Sequence, residues 1–205
     1  MDLIQKLKYR IETPLPGIET QYEMAPLGRA ELIRPEMQFT KAAVLCLLYP
    51  RDNNWSMVFI QRTSHEKDKH SAQIAFPGGK MDDKDENLWF TALREAEEEI
   101  ALNPISVLKI GDLTPLKIPV SKFEVFPYLA YTTETPQFIP EEKEVDQIIE
   151  VPVPVLTDNA NRKKKKIKLS NGISLPDVPI FNYHDHVIWG ATAMMLNEVI
   201  SMIIE

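Results

Sequence analysis

The sequence contains a single cysteine among 205 residues, Cys46, so no disulfide can form within the chain. It also lacks any apolar run near the roughly 20 residues that a membrane-spanning helix needs. Its first residues, MDLIQKLKYR, lack the apolar stretch of a secretory signal. These absences argue against a disulfide-rich secreted domain and against an integral membrane protein. They predict a cytoplasmic protein with no membrane partner.

Positive charge is also scarce, since 23 Lys and Arg stand against 30 Asp and Glu, a formal net charge of −7 at pH 7. This balance disfavours nucleic acid as the main partner. The acidic surplus is local, because residues 82–99 contain eight acidic and two basic side chains, a net charge of −6. The sequence therefore predicts one acidic site rather than a diffusely acidic surface.

Short apolar runs separated by turn residues predict a mixed α/β domain. Residues 41–50 and 55–63 form two such runs joined by Arg-Asp-Asn-Asn, which predicts a hairpin. Residues 71–79 predict a short strand that ends in a glycine turn. Apolar spacing predicts helices at 2–10, 88–100 and 186–204. Further strands are expected after Pro104, at 123–133, at 147–156 and in a hairpin over 162–184 that turns at Asn171–Gly172.

These elements predict an α/β/α sandwich with a central mixed sheet. We place the domain at residues 37–205. Residues 1–36 are expected to form an N-terminal helix and an irregular arm that packs on the domain, because the arm contains four prolines.

The helix expected at 88–100 contains four glutamates in five residues. Glu95, Glu98 and Glu99 are spaced i, i+3 and i+4, so their carboxylates share one face, whereas Glu97 points elsewhere. Three like charges on one face repel each other unless water or a cation offsets them. Carboxylate oxygens suit Mg²⁺ or Mn²⁺, and a solvated helix face is the alternative interpretation. Arg94 lies four residues before Glu98, within reach of its carboxylate.

The segment around this helix resembles the Nudix box, the loop–helix–loop signature of Nudix hydrolases. The matching positions are Gly79, Arg94, Glu95, Ala96, Glu98, Glu99 and Leu102. Two positions depart from the pattern. The interval from Gly79 to Arg94 is one residue longer than usual, so either Asp85 or Glu86 takes the acidic position, and Ala101 stands where glycine is expected.

A narrower resemblance is to the coenzyme A pyrophosphatase branch of that family. It rests on FIQRTSHEKDKHSAQIAFPGGKMDDKDENLWFTALREAEEEI and on the later segments EKEVDQIIEVPVPVL and HVIWGATAMML. The upstream motif departs in three places: Thr63 follows Arg62, the later basic position is Lys67 with one extra residue, and Ala72 replaces glycine.

The resemblance implies a Nudix-type α/β/α sandwich that hydrolyses a nucleoside diphosphate-linked small molecule with Mg²⁺ or Mn²⁺. The implied metal ligands are Glu95, Glu98, Glu99 and the Gly79 carbonyl. Catalytic roles are expected for Glu98, Arg94 and Glu144, where the general base is a metal-site glutamate or one of the loop acids Glu141, Glu142 and Glu144. Substrate contacts are expected from Arg62, Lys67, His70 and Lys80, because a diphosphate needs cationic partners besides the metal.

Several alternatives stay open. The substrate is CoA or acyl-CoA, or instead ADP-ribose, NADH or another nucleotide, and a nucleotide-sensing module without turnover is the alternative of a different class. The basic run at residues 162–168 is a solvated hairpin edge, or it binds the 3′-phosphate of a CoA-like ligand, an acidic partner or RNA. The resemblance is also compatible with a homodimer.

Overall fold

The computed structural model describes residues 2–63, 73–169 and 172–204. Its helices are α1 (Leu3–Ile11), α2 (Gly17–Tyr22), α3 (Leu88–Ile100), α4 (Val153–Thr157) and α5 (Gly190–Ile204). Its strands are β1 (Thr40–Arg51), β2 (Asn54–Arg62), β3 (Ile74–Ala75), β4 (Gly78–Lys80), β5 (Leu108–Asp112), β6 (Leu116–Ile118), β7 (Phe123–Tyr131), β8 (Val145–Pro152), β9 (Arg162–Lys168), β10 (Ser174–Tyr183) and β11 (His186–Trp189).

The central sheet is mixed, as predicted. Strand β1 runs parallel to β7 and antiparallel to β2 and β4. Strands β3 and β8 pair with β2, and β5 and β6 pair with β7, all of them antiparallel. A second, three-stranded antiparallel sheet has the order β11-β10-β9.

Strand β1 shows why helices cover both faces of this sheet. Its apolar side chains alternate between two buried clusters: Cys46 and Leu48 join one, whereas Leu45 and Leu47 join the other. Such a strand must be covered on both sides. Helix α5 and residues of α1 complete the first cluster, and the Ala92–Ala96–Ile100 face of α3 completes the second. The predicted α/β/α sandwich is therefore confirmed.

The N-terminal segment packs on the face that α5 covers. Ile4 and Leu7 of α1 are buried in the same cluster as α5. The fully buried carboxylate of Glu198 on α5 accepts hydrogen bonds from Gln21 Nε2 at 2.7 Å, from Thr114 Oγ1 at 2.6 Å and from the Gly17 amide at 3.2 Å. This network ties α2 and the turn after β5 to the last helix. A boundary at residues 36/37 stays a prediction.

Three predicted elements are corrected. The glycines of Phe-Pro-Gly-Gly do not form a turn: Gly78 and Gly79 belong to β4, opposite Val44 and Ala43 of β1. The strand predicted at 147–156 ends at Pro152, because Pro154 lies in the first turn of α4, where proline is favoured. None of the described helices combines the length and apolar character needed to cross a lipid bilayer.

The third correction concerns the last helix, which was predicted to begin at residue 186. Residues 186–189 instead form β11, which pairs with β10. The helix begins at Gly190, whose φ of +64° is a conformation that glycine adopts at little cost. An apolar run without strict periodicity did not distinguish the buried strand from the helix that follows it.

Candidate active site

Helix α3 holds the carboxylates at the sheet surface. Asn87 caps its first turn, since its side chain accepts hydrogen bonds from the Trp89 and Phe90 amides. At the other end Ala101 takes the left-handed conformation, with φ 54°, and its amide donates to the Glu97 carbonyl. Ala101 therefore ends the helix as the glycine of the Nudix box would, at a cost of about 1 kcal/mol.

Glu99 is the buried member of the carboxylate set, with 1% of its surface exposed. Its Oε2 accepts a 2.8 Å hydrogen bond from the Gly78 amide, and its Oε1 lies 3.4 Å from Arg62 Nη1. Burial raises the pKa of Glu99 to about 8, and these two donors only partly counteract it. A carboxylate in this position gains from a nearby cation.

Glu95 lies directly against the glycine strand. A Cβ on Gly79 would overlap the Glu95 carboxylate, so this approach depends on glycine. The Glu95 side chain is 16% exposed and lies 2.9 Å from Arg94 Nη1. Burial raises the pKa of Glu95, and the charge of Arg94 opposes that shift.

Arg94 connects the carboxylates to the loop before the helix. Its Nη1 donates to Glu98 Oε2 at 2.9 Å, which is the contact expected from their spacing. Its Nε and Nη2 bond the two oxygens of Asp85 at 2.8 and 3.0 Å, and Nη2 also reaches the Lys80 carbonyl at 3.2 Å. Of the two candidates for the acidic position, Asp85 is the one that bonds Arg94.

The residues that could hold a divalent cation share one side of α3. Within the parts of the chain that the structure describes, no three His, Cys, Asp or Glu side chains form a ready-made cation site. Arg94 engages Glu95 and Glu98, while Gly78 and Arg62 engage Glu99. The donor set nevertheless fits Mg²⁺ or Mn²⁺, because it offers hard oxygen ligands. Two of the three carboxylates are also desolvated, and a cation would offset their raised pKa values.

The acidic loop before β8 approaches the same site. The Glu141 amide donates to the Glu99 carbonyl at 2.9 Å, and the Glu144 amide donates to the Glu141 carbonyl at 2.9 Å. Burial is the main cause of the raised pKa values of Glu95 and Glu99, and the negative charge of Glu144 adds a smaller contribution. Glu144 is thus the loop acid with an electrostatic connection to the carboxylates, whereas Glu142 shows none within the described chain.

The expected substrate-binding residues divide into three groups. Arg62 points at Glu99. Lys80 has an exposed side chain on β4, and its carbonyl accepts from Arg94. Lys67 and His70 lie outside the described residues. The substrate-binding role of all four stays a prediction.

Two contributors were missed from the sequence. Gly78 donates its amide to Glu99, and Thr91 donates its hydroxyl to Asp85 Oδ2 at 2.8 Å. The interval of three between Arg94 and Thr91 places both on the same side of the helix and could have indicated Thr91. Nothing local in the sequence indicates the Gly78 contact, because it depends on the pairing of β4 with β1.

Comparison with known proteins agrees with this geometry. Residues 39–170 match the NUDIX domain. The chain is 32% identical over 176 residues to the Nudix hydrolase NudL of Pectobacterium atrosepticum, covering 82% of this chain and 84% of the relative. It is 29% identical over 192 residues to the mitochondrial Nudix hydrolase 15 of Arabidopsis thaliana, covering 90% and 65%.

A MutT/nudix family protein from Enterococcus faecalis has a similar fold. The TM-score is 0.51 at 16% identity, and the match covers 97% of this chain and 72% of that one. This likeness shows the fold alone. The NUDIX match covers more than half of the chain and includes the glycine strand, Arg94 and the glutamates of α3. The chain therefore belongs to the Nudix family of hydrolases.

Proposed function

We propose that this protein hydrolyses the diphosphate bond of CoA or acyl-CoA, giving adenosine 3′,5′-bisphosphate and (acyl-)phosphopantetheine. The observation that carries the reaction class is the arrangement of Glu95, Glu98 and Glu99 on one side of α3, next to β4. Nudix hydrolases act on nucleoside diphosphate-linked substrates and generally use divalent metal ions. The branch and the substrate rest on the sequence resemblance.

One contact supports the assignment to the CoA pyrophosphatase branch. The Thr192 hydroxyl, in the late Trp-Gly-Ala-Thr-Ala segment, donates to the Ile74 carbonyl at 3.0 Å. Ile74 lies in the upstream segment of the resemblance, two residues before Phe76. The two segments are over 100 residues apart in sequence and meet in the core cluster that α5 covers. The contact brings together two of the segments on which the resemblance rests.

In the proposed mechanism, water attacks one phosphorus and the bridging P–O bond breaks, leaving two phosphate monoesters. Bound Mg²⁺ or Mn²⁺, held by Glu95, Glu98, Glu99 and the Gly79 carbonyl, would neutralise diphosphate charge and lower the pKa of water. Arg94 orients the Glu95 and Glu98 carboxylates. Glu98 or Glu144 accepts the proton of the attacking water, and both are exposed to solvent. Arg62, Lys67, His70 and Lys80 are the proposed contacts to the anionic substrate.

A substrate panel tests the proposal. CoA, acetyl-CoA, ADP-ribose, NADH and a dinucleoside polyphosphate are incubated with Mg²⁺ or Mn²⁺, and the products are resolved by mass. Metal-dependent release of adenosine 3′,5′-bisphosphate from CoA is the expected result, with Glu98→Gln as the inactive control. Turnover of ADP-ribose or NADH without turnover of the CoA compounds would refute CoA as the substrate. Tight binding with no turnover of any compound would indicate a sensor instead.

The setting of the reaction is a further part of the proposal. Cys46 is fully buried in the core, which fits a reducing compartment, and we place the protein in the cytoplasm. A homodimer stays a prediction that light scattering of the purified protein tests.

A further inference from the structure

An open cleft of about 580 Å³ lies between the N-terminal arm and the turn that joins β6 to β7. The arm contributes Leu32 and Met37 to its walls, and the turn contributes Pro119 and Val120. Leu32 and Val120 are each 53% exposed. The volume is in the range of small-molecule sites, and the exposed apolar side chains offer a surface for a flat ring.

Two cations line the same cleft. Arg34 and Lys122 are both exposed, and neither forms an ion pair with any residue that the structure describes. Glu36 is the acidic residue among the described lining residues. The cleft is thus positive on a chain whose net charge is −7. Unpaired cations beside an apolar wall suit a ligand that combines a ring with an anion.

Strand β1 connects the edge of the cleft to the carboxylate site. The Thr40 amide donates to the Lys122 carbonyl at 2.8 Å, which ties the cleft to the start of β1. Three residues further along β1, Ala43 lies opposite Gly79. Three residues of strand correspond to about 10 Å. A nucleoside diphosphate is long enough to extend along this stretch of β1 from Gly79 towards Lys122.

Resting on the proposed function, we propose that this cleft binds the 3′-phosphorylated nucleoside end of the substrate. The base lies against Leu32 and Val120, and the 3′-phosphate lies between Arg34 and Lys122. The other end of CoA, the pantetheine arm, carries no charge, so it would leave both cations unused. The arm wall precedes residue 39, where the NUDIX match begins, so this subsite would be built partly outside the shared domain.

The lysines of β9 are the competing cationic surface. Lys163–Lys166 are all exposed on the edge strand of the second sheet. That sheet contributes Phe181 and Ile188 to the core cluster of α5, whereas α3 packs in the other cluster. The lysines of β9 lie in a separate sheet, whereas Lys122 of the cleft is hydrogen-bonded to the start of β1, the strand that pairs with the glycine strand. This connection favours the arm cleft as the 3′-phosphate site.

The test compares hydrolysis of CoA with that of dephospho-CoA, which lacks the 3′-phosphate. The wild type should prefer CoA. Arg34→Gln and Lys122→Gln should each reduce that preference about tenfold through KM, with kcat for dephospho-CoA unchanged. Lys164→Gln is the matched control and should keep the wild-type preference. A preference that survives both cleft variants, or that is lost in Lys164→Gln, would overturn the proposal.

Failure of the proposed function gives a different result. If neither compound is hydrolysed, calorimetric titration with adenosine 3′,5′-bisphosphate and with AMP still tests the cleft. Tighter binding of the bisphosphate in the wild type, lost in Arg34→Gln and kept in Lys164→Gln, supports the subsite. Equal affinity for the two ligands refutes it.

Discussion

Arg94 and Asp85 form a bidentate pair, with Nε 2.8 Å from Oδ1 and Nη2 3.0 Å from Oδ2. The remaining nitrogen of the guanidinium faces Glu95 and Glu98, each at 2.9 Å. One arginine thus joins the loop before α3 to two carboxylates of the helix. The Asp85 side chain is 4% exposed and that of Arg94 28%, so the pair is partly shielded from water.

Asp85→Asn should weaken both stability and activity. The hydrogen bonds from Arg94 hold the pKa of Asp85 well below its usual range. The stabilisation is therefore present above the unfolded-state pKa near 4 and is lost as the pH falls further. We expect the free energy of unfolding, measured in urea at pH 7, to be about 1–3 kcal/mol lower in the variant. That difference should shrink below about pH 4.

The matched control for this prediction is Glu86→Gln, because Glu86 is exposed and has no polar side-chain contact within the described chain. It should leave stability and turnover near wild type. Equal losses in both variants would mean that the acidic position of the box is shared and that the Asp85–Arg94 pair has no special role.

The sequence restricts the acidic position of the box to two neighbouring residues but does not choose between them. Asp85 and Glu86 are both carboxylates in a loop, and spacing alone did not separate them. The choice depends on the Asp82-to-Asp85 turn, in which the Asp85 amide donates to the Asp82 carbonyl and the Asp82 amide to the Asp85 carboxylate. Such loop geometry has no periodicity that a pattern could report, whereas the helix carboxylates follow from the 3.6-residue repeat.

Glu98→Gln should lower kcat by orders of magnitude while leaving the free energy of unfolding within about 0.5 kcal/mol of wild type. Its side chain is 60% exposed, so little packing is lost. The control is Glu97→Gln, one residue away and also exposed but on another side of the helix. Metal-dependent initial rates and thermal melts measure both quantities. Similar kcat values for the two variants would remove Glu98 from the mechanism.

Gly79→Ala and Gly78→Ala should fail in different ways. A Cβ at Gly79 meets the end of the Glu95 side chain, which can move, so the fold should survive while metal affinity and kcat fall. A Cβ at Gly78 meets the backbone of Ala43 and Val44, and Gly78 has a φ of +149°. That variant should lose stability. Circular dichroism melts together with Mn²⁺ titration separate the two, and an active, metal-binding Gly79→Ala would contradict the proposed site.

Apolar spacing predicts the helices and strands, but it does not predict contacts between residues that are far apart in sequence. The β1–β2 hairpin, β7 and α3 followed from apolar spacing and turn residues. The hydrogen-bond network of the Glu198 carboxylate was not predicted, because its partners Gly17, Gln21 and Thr114 come from two distant segments. A glutamate in an apolar helix is ambiguous until the donors that surround it are known.

Glu198→Gln tests whether that network holds the N-terminal arm. The amide nitrogen of glutamine would oppose donors that now point at a carboxylate, at a cost of about 1–3 kcal/mol. We expect faster hydrogen exchange at residues 3–22 and a lower urea midpoint. Exchange in β1 should change only as much as global stability does. Glu19→Gln on the exposed side of α2 is the control, and unchanged exchange in the arm of Glu198→Gln would show that apolar packing of α1 suffices.

Glu99→Gln should stabilise the metal-free protein, and the effect should depend on pH. Burial raises the pKa of Glu99 to about 8, above an unfolded value near 4.3. Between these values the folded state binds more protons than the unfolded state, so wild-type stability falls as pH rises through this window. Glutamine does not titrate, so the Glu99→Gln variant does not show this loss of stability with rising pH. Its Tm should exceed that of the wild type by an amount that grows from pH 5 to pH 8 and then levels off.

Added Mg²⁺ or Mn²⁺ should reverse this order. A cation that binds only the folded state stabilises it by RT ln(1 + [L]/Kd), and binding to Glu99 displaces its proton, so the rise in Tm should be larger at pH 8 than at pH 6. Glu99→Gln should lose most of that rise, while Glu97→Gln should keep it. If the Tm difference between Glu99→Gln and wild type without metal is constant from pH 5 to 9, Glu99 does not titrate in this window. A metal-induced rise that survives in Glu99→Gln would remove Glu99 from the ligand set.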